Sequence, residues 1–216
     1  MKGLLIKDNF ESFLLKKNML AWLFSSITII IFMASMRNIY TYVLIVGVML
    51  PMIGCSTLQY SMEQDEISKF NKILLTYPIT KKEIIQAKYI SGFAIIFAMN
   101  GIMGLITMLL YVYGYQALDI TTGLYTWVSG LIFAFIMTAI NYVGFFFLGN
   151  KKGTIMFIVM IASLAIGYVC LEFSFSIETL LSFGKMKLLI IGFLIAVLSM
   201  ILSYFTSLKI YTKRCS

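Results

Sequence analysis

Six long stretches of this chain contain no charged residue, and each is long enough to cross a lipid bilayer as a helix. A membrane-spanning helix needs about 20 consecutive, mostly apolar residues. The stretches therefore predict six transmembrane helices. The predicted spans cover residues 19–36, 39–60, 89–113, 125–148, 154–171 and 188–208.

The composition excludes an ordinary soluble protein. Hydrophobic residues make up 61% of the 216 residues and charged residues 12%, whereas about a quarter of a typical soluble domain is charged. Two prolines and the absence of any linker-like tract predict one undivided domain, residues 1–216. We expect an all-α integral membrane protein without room for a separate soluble catalytic domain.

The basic residues predict the orientation of the spans. Fourteen of the 17 Lys and Arg residues fall on one side of the membrane, and three, Arg37, Lys185 and Lys187, fall on the other. The positive-inside rule assigns the richer side to the cytoplasm, so both termini are expected there. Because these lysines lie in short stretches between spans, the net charge of +8 indicates contact with anionic lipid headgroups rather than with nucleic acid.

The N-terminal stretch has the pattern of a short helix lying in the headgroup layer. Its apolar and charged residues recur at roughly helical spacing, which is typical of interfacial helices. A frayed tail leading to the membrane is the alternative. The apolar positions are Leu4, Leu5, Phe10, Phe13 and Leu14, and the charged positions are Lys7, Asp8, Glu11 and Lys16.

The segment 61–88 is the largest water-exposed part of the chain, and it carries the signals of two capped helices. Ser61 with Gln64 forms one capping box, and Thr80 with Glu83 forms a second, at the start of a helix that runs into the third span. The first helix should end before Pro78, because the residue preceding a proline avoids the helical region.

The first of these two helices is predicted to be amphipathic. Its acidic residues lie near the first turn, where the helix dipole favours negative charge but an anionic leaflet would repel it. A helix resting on lipid is the simpler interpretation, but a protein partner suits the acidic turn better. The acidic residues are Glu63, Asp65 and Glu66, and the apolar face is formed by Ile67, Phe70, Ile73 and Leu74.

The residues of this segment resemble the signature loop of small permeases of the type-two ABC exporter class. The similarity lies in Asp65-Glu66-Ile67-Ser68-Lys69-Phe70 and in residues 77–89, YPITKKEIIQAKY. Those permeases have six membrane helices, an N-terminal interfacial elbow helix and a cytoplasmic loop between helices two and three. The whole chain matches this layout. More narrowly, it is similar to permeases of the staphylococcal phenol-soluble modulin exporter.

The resemblance implies the permease subunit of an ATP-driven exporter of amphipathic or antimicrobial peptides in a bacterial cell membrane. Residues 63–75 would form a coupling helix that docks onto a separate ABC ATPase subunit, which would hold ATP and Mg²⁺. A second copy or a related permease would complete the path. The docking residues so implied are Glu63, Asp65, Glu66, Lys69, Phe70, Asn71, Leu74 and Pro78, and the outer gate is formed by Phe173, Phe175, Glu178 and Leu181.

One residue departs from the family pattern. The family often has a tryptophan where this chain has Phe70, so an aromatic side chain is kept at the docking position.

No sequence feature supports catalysis by this chain itself. It lacks the GxxxxGK[ST] loop that cradles phosphates and contains no histidine, so neither a cofactor nor a metal site is expected. Ion-coupled transporters use ionisable groups within the membrane, and the six spans have none. The alternatives are a non-exporting immunity or sensor protein and an ABC permease for antibiotics, lipids or ions.

Polar and small residues within the spans are predicted to serve packing. Asn100 and Asn141 should hydrogen-bond between helices, and Gly92, Gly101 and Gly104 should let helix backbones approach closely.

Two regions are candidates for movement. Pro51 should bend the second span, which makes Gly47, Pro51 and Gly54 a candidate hinge. Residues 172–185 are too apolar for a solvated loop and too interrupted to span, so they should cover the outer membrane surface or a space between helices.

Overall fold

The computed structural model describes residues 2–70, 79–174 and 185–214. It describes the side chains of these residues as well, except those of residues 168–174, 185 and 214. Of the sequence-derived site residues, Asn71, Leu74, Pro78, Phe175, Glu178 and Leu181 lie outside these ranges, as does the side chain of Phe173. The described residues are helical or irregular and contain no strand.

Seven helices follow one another along the described chain. Six of them, α2 to α7, are long and apolar enough to cross a membrane, which confirms the predicted number of spans and the all-α class. The bounds are α1 Lys2–Phe13, α2 Lys16–Ser35, α3 Ile39–Ile67, α4 Lys81–Gly114, α5 Ile120–Leu148, α6 Asn150–Ser174 and α7 Lys185–Arg214.

Helices α3, α4 and α5 form the centre of the bundle. Buried residues make up 50% of the apolar part of α3, 39% of that of α4 and 44% of that of α5, but 6% of that of α2. Helix α5 packs against α3, α4, α6 and α7. The periphery therefore consists of α2, α6 and α7, whose apolar surfaces face outward, as expected for a protein whose solvent is lipid.

One end of the bundle, here termed the lysine-rich end, contains α1, the last turns of α3 and the first turns of α4. The turn between α5 and α6 and the C-terminal turns of α7 also lie there, and Lys81 of α4 donates to the carbonyl oxygen of Thr212 of α7 at 3.4 Å. An aromatic and aliphatic cluster around Tyr142 and Phe145 packs towards this end, and a second cluster around Tyr42 and Tyr111 packs towards the opposite end.

The predicted capping box at Ser61 is wrong. Helix α3 does not begin again at this position but continues through it to Ile67, and Ser61 is buried. The reason is a tertiary contact, because the Ser61 hydroxyl donates to Asp8 of α1 instead of capping a helix. The box at the start of α4 is confirmed, with Glu83 accepting from the amide of Thr80 at 2.9 Å and the hydroxyl of Thr80 accepting from the amide of Glu83 at 3.3 Å.

Helix α1 confirms the predicted N-terminal helix, but the side it turns towards the protein is mainly polar. Asp8 and Ser12 are buried, whereas Ile6 and Phe10 of α1 and Leu14 in the turn after it, spaced four residues apart, are exposed. An apolar face turned outward suits a lipid surface, so the interfacial position stays the prediction that this geometry favours.

The hydrogen bonding of α3 changes just before Pro51. Residues Ile45–Met49 form a π-helical turn, and the amide of Leu50 donates to the carbonyl oxygen of Ile45, five residues back. A proline lacks an amide hydrogen and crowds the carbonyl four residues before it, which here belongs to Gly47. The wider turn accommodates this crowding, and a hinge at Gly47, Pro51 and Gly54 stays a prediction.

The predicted approach of helix backbones at Gly92 and Gly104 is not confirmed, because the atoms nearest to both positions belong to side chains. A methyl group at Gly92 would overlap the hydroxyl of Tyr142, and one at Gly104 would lie 2.9 Å from Cδ1 of Trp127, so α5 packs directly over both positions of α4. For Gly101 the prediction is wrong, because the nearest atoms belong to Phe97, one turn earlier on the same helix.

Candidate functional site

Five charged side chains meet where α1, α3 and α4 converge at the lysine-rich end. Lys88 Nζ lies 2.8 Å from Asp65 Oδ2 and 3.7 Å from Asp8 Oδ1. Lys7 Nζ lies 2.9 Å from Glu11 Oε2 and 3.5 Å from Asp8 Oδ1, and it also forms an ion pair with Asp65. These residues, Lys7, Asp8, Glu11, Asp65 and Lys88, are termed the ionic cluster below.

A hydroxyl group links the three helices within the ionic cluster. The Ser61 Oγ of α3 donates to Asp8 Oδ1 of α1 at 2.9 Å and accepts from Lys88 Nζ of α4 at 2.6 Å. The hydroxyl of α3 thus forms one hydrogen bond with α1 and another with α4. Such a fully bonded network orients its members rigidly.

Three members of the ionic cluster are shielded from water. Asp65 is 3% exposed, Asp8 4% and Lys88 8%. Charges buried this deeply are tolerated only when paired, so the attraction between the three helices depends on all partners being present. Burial raises the pKa of the Glu11 carboxyl, an effect that exceeds the opposing attraction of Lys7.

Local structure explains how these groups come together. Lys7 and Glu11 are one turn apart on α1, where oppositely charged side chains meet naturally. Asp65 and Lys88 meet because α3 extends to residue 67 and α4 begins at residue 81, beyond the predicted limits of 60 and 89. The two central helices thus continue past their charge-free spans, and these extra turns carry the ionic cluster.

Three carboxylates of the cluster, from Asp8, Glu11 and Asp65, have oxygens within 4.8 Å of one another. Such a group resembles a set of cation ligands. Here the ammonium groups of Lys7 and Lys88 lie among them, so lysines of the chain provide the positive charge that the carboxylates require.

The exposed part of this region is the C-terminal tip of α3. Glu66, Ile67, Ser68 and Lys69 are all exposed, and Ile67 exposes 66% of its surface. The helix ends here because the amides of Ser68 and Lys69 bond back to Gln64 and Glu66, and Lys69 adopts a left-handed conformation with φ of 52°. The tip thus presents one apolar side chain between an acidic and a basic residue. We term Glu66, Ile67, Ser68 and Lys69 the α3 tip.

A cavity of about 520 Å³ opens next to the α3 tip. Asp65, Glu66 and Lys88 line one side of it, and Lys151 and Lys152, in the first turn of α6, line the other. The tip and the cavity together form a concave, charged surface at the lysine-rich end, large enough to receive part of another protein.

The sequence-derived docking residues that the structure describes differ in their exposure. Glu66 and Lys69 are exposed on the α3 tip. Glu63 pairs with Lys17 of α2 at 2.5 Å, and Asp65 is buried in the ionic cluster, so neither presents a free carboxylate outward.

Phe70, the expected aromatic anchor, contacts the rest of the chain. Its ring lies 4.2 Å from Lys7 Nζ and packs with Leu4 and Ile84 in a small apolar cluster beside α1. The side chain is half-buried. In this conformation Phe70 therefore supports the position of α1.

Sequence reasoning missed the most informative residues of the site. Lys88 entered as one of fourteen basic residues and as part of the family-like segment 77–89, and Lys7 and Asp8 entered as charged positions of an amphipathic helix, none of them with a partner. Their partners on other helices are 23 to 80 residues away in the chain, and no local pattern marks such pairs. Ile67 could have been found, because it is the apolar residue between Glu66 and Lys69.

The polar residues within the spans bind the central helices to one another. Asn141 Nδ2 donates to the Cys55 carbonyl oxygen at 2.9 Å and Asn100 Nδ2 to the Leu50 carbonyl oxygen at 3.3 Å, which confirms the predicted interhelical bonds. Trp127 Nε1 in turn donates to the Asn100 carbonyl oxygen at 2.8 Å. These groups have structural partners in α3, α4 and α5.

Comparison with known proteins adds one finding. The sequence model of a family described as ABC-2 family transporter protein matches residues 3–212, nearly the whole chain. No curated protein and no solved structure matches it.

Proposed function

The chain belongs to the ABC-2 family of transporter membrane proteins, and we propose that it is the permease subunit of an ATP-driven exporter of amphipathic peptides. The family assignment makes it a membrane permease component of an ABC transporter. The ATPase partner that this family implies would dock on the α3 tip. The observation that carries this proposal is the combination of an exposed tip with a buried ionic cluster directly behind it.

The geometry supports transmission of movement from the α3 tip into the bundle. The tip begins at Glu66, directly after Asp65, and Asp65 is bonded to Lys88 of α4 and Lys7 of α1. A displacement of the tip would therefore move the ends of α3, α4 and α1 together as a rigid body. Exposed salt bridges would not achieve this, since they contribute little and rearrange easily.

The peptide substrate is supported by the resemblance to exporters of phenol-soluble modulins and by the apolar character of the spans. Antibiotics, lipids and ions are the alternative substrates, and an immunity or sensor role is the alternative activity. Export and immunity can be separated by measurement. Cells that produce an amphipathic peptide in the cytoplasm, and express this chain with its ATPase, should release that peptide into the medium. Protection without appearance of the peptide outside would favour the immunity role.

A second permease, identical or related, would complete the path. Helices α2 and α6 have 6% and 11% of their apolar parts buried within one chain, which leaves most of their surface for another subunit or for lipid. We place the lysine-rich end, and with it both termini, in the cytoplasm of a bacterial cell, because fourteen basic residues lie on that side.

The test of ATPase docking is copurification with a candidate ABC ATPase subunit expressed together with this chain. Ile67→Ser and Glu66→Lys should each reduce association and the stimulation of ATP hydrolysis. Ile6→Ser and Asn9→Lys are matched controls, because both residues are exposed on α1 at the same end. If all four variants retain wild-type association and hydrolysis, docking on the α3 tip is wrong.

A further inference from the structure

A groove follows α7 on the outer surface of the bundle, against α4 in its first part and mainly against α5 in its second part. Its first part, at the lysine-rich end, has a volume of about 630 Å³ and is lined by Lys82, Gln86, Ile90, Tyr204, Phe205 and Leu208. Its second part, about 520 Å³, begins one turn further along α7. It is lined by Phe93 of α4, by four side chains of α5 that include Leu131 and Phe135, and by side chains of α7 that include Phe193, Val197 and Ile201. We term the two parts together the α4–α7 groove.

The polar groups of this groove are confined to one end and can donate hydrogen bonds. Lys82 is exposed and forms no ion pair with another residue that the structure describes. The hydroxyl of Tyr204 is buried and has no hydrogen-bond partner among the described residues. None of the described lining residues is acidic. An ammonium, an amide and a hydroxyl without a carboxylate form a suitable environment for a phosphate group.

The opposite end of the groove is suited to hydrocarbon. The residues that line the second part are aliphatic or aromatic, and Phe93, Phe193, Val197 and Ile201 are exposed there. From Leu208 to Phe193 the groove runs along fifteen residues of α7, about 22 Å at the helical rise. One leaflet with its headgroups has a similar thickness, about half of 40–45 Å.

We propose that the α4–α7 groove binds an anionic glycerophospholipid from the leaflet at the lysine-rich end. The phosphate contacts Lys82, with Gln86 and Tyr204 beside it, and an acyl chain lies along Phe93, Phe193 and Ile201. Neither the ATPase nor the exported substrate enters this argument, so the site is independent of the proposed function.

The charge pattern favours a lipid over a second copy of the chain. A symmetric interface through this surface would bring two Lys82 ammonium groups together, without an acidic residue from either groove to separate them. An anionic headgroup instead neutralises Lys82, and each lysine close to an anionic lipid surface contributes binding energy.

The site can be tested by native mass spectrometry of the full chain in detergent with added lipid. Wild-type protein should bind phosphatidylglycerol about fivefold more tightly than phosphatidylcholine with the same acyl chains, as one lysine–headgroup contact predicts. Lys82→Gln should remove this preference. Lys152→Gln is the matched control, because Lys152 is exposed at the same end but lines a different cavity.

The acyl-chain part is tested by filling the groove. Ile201→Trp should weaken binding of both lipids severalfold, whereas Leu202→Trp, at the exposed neighbouring position outside the groove, should not. Glycerol phosphate, which has no acyl chains, should fail to compete.

Three results would overturn the site: equal affinity of wild-type protein for both lipids, equal losses in the two lysine variants, or displacement of the lipid by glycerol phosphate alone. Native mass spectra report the intact folded chain in each case. A failure of any arm leaves the ATPase-docking test unaffected, because the α3 tip shares no residue with this groove.

Discussion

Lys88 of α4 and Asp65 of α3 form a buried ion pair of 2.8 Å, although 23 residues separate them in the chain. The pair lies directly behind the exposed α3 tip and is shared with α1 through Asp8 and Lys7. It connects the part of the protein available to a soluble partner with two central membrane helices.

Removing one member of this pair should destabilise the protein strongly. Lys88→Met leaves buried carboxylates without their principal partner, and we expect a loss of about 3–5 kcal/mol in the free energy of unfolding. The double variant Lys88→Met/Asp65→Leu should recover much of this loss. Chemical unfolding in detergent, arranged as a double-mutant cycle, measures the coupling.

The pair between Lys17 and Glu63 is the matched control for this prediction. Its distance is similar, 2.5 Å, but the Lys17 side chain is 70% exposed. Lys17→Met should cost less than about 1 kcal/mol, as for other surface ion pairs. Equal losses for Lys88→Met and Lys17→Met would contradict a structural role for the ionic cluster.

Gly130→Ala should separate α3 from α5. A methyl group at this position would overlap the backbone carbonyl oxygen of Val46, and a backbone atom cannot rotate away. We expect a loss of about 1–3 kcal/mol, typical of overpacking, measured as a lower thermal unfolding midpoint.

Gly167→Ala is the control for this substitution. Among the residues that the structure describes, no atom outside α6 lies within 4 Å of a methyl group there. The change should therefore be neutral or stabilise α6 by up to about 1 kcal/mol through the lower entropy of the unfolded chain. A Gly130→Ala midpoint that equals the Gly167→Ala midpoint would disprove the close approach.

Asn141→Leu should leave a buried carbonyl group unbonded. Around Ser56 the helix tightens, and the amide of Gln59 donates to Ser56 instead of Cys55. The Cys55 carbonyl oxygen accepts from Asn141 instead. Loss of a partner for a buried group costs about 1–3 kcal/mol.

Asn100→Leu provides the comparison. The carbonyl oxygen that accepts from Asn100 belongs to Leu50, the first residue of the regular helical segment Leu50–Cys55. Because this oxygen can keep a partner within its own helix, Asn100→Leu should lower the free energy of unfolding by about 1 kcal/mol or less. Chemical unfolding in detergent measures the loss of stability in each variant. A larger loss for Asn100→Leu than for Asn141→Leu would contradict the role of Asn141 at the irregular turn around Ser56.

The orientation of the termini can be tested with thiol chemistry. In a Cys170→Ala background, an impermeant thiol reagent added to intact cells should leave Cys215 unmodified, because fourteen basic residues predict a cytoplasmic C-terminus. Cys55 is buried and should not interfere. Asp119→Cys, at the exposed opposite end and combined with Cys170→Ala and Cys215→Ala, is the positive control. Modification of Cys215 before lysis would reverse the topology.

Several elements were predictable from local sequence alone. The six spans follow from charge-free length, since a charged side chain is costly in hydrocarbon wherever it occurs. The start of α4 at Thr80 and Glu83 follows from a capping box whose two partners are three residues apart. Such features depend on neighbours in the chain or on the solvent, and both can be read from the sequence.

The end of α3 shows where local reasoning fails. Ser61 and Gln64 have the spacing of a capping box, and the same residues fit equally well inside a continuous helix. The contact of Ser61 with Asp8, 53 residues away, favours the second arrangement. Propensity is a weak preference that a buried polar contact overrides.

The sequence by itself determined a six-span helical membrane protein with a polar, helix-forming segment between its second and third spans, because the bilayer selects length and apolarity residue by residue. Only the tertiary structure decided that Asp65 points inward to Lys88 while Ile67 and Glu66 face outward. That choice depends on which of several lysines and carboxylates pair once three helix ends are brought together. Pairing across 23 to 80 residues arises from packing in three dimensions, and spacing along the chain does not encode it.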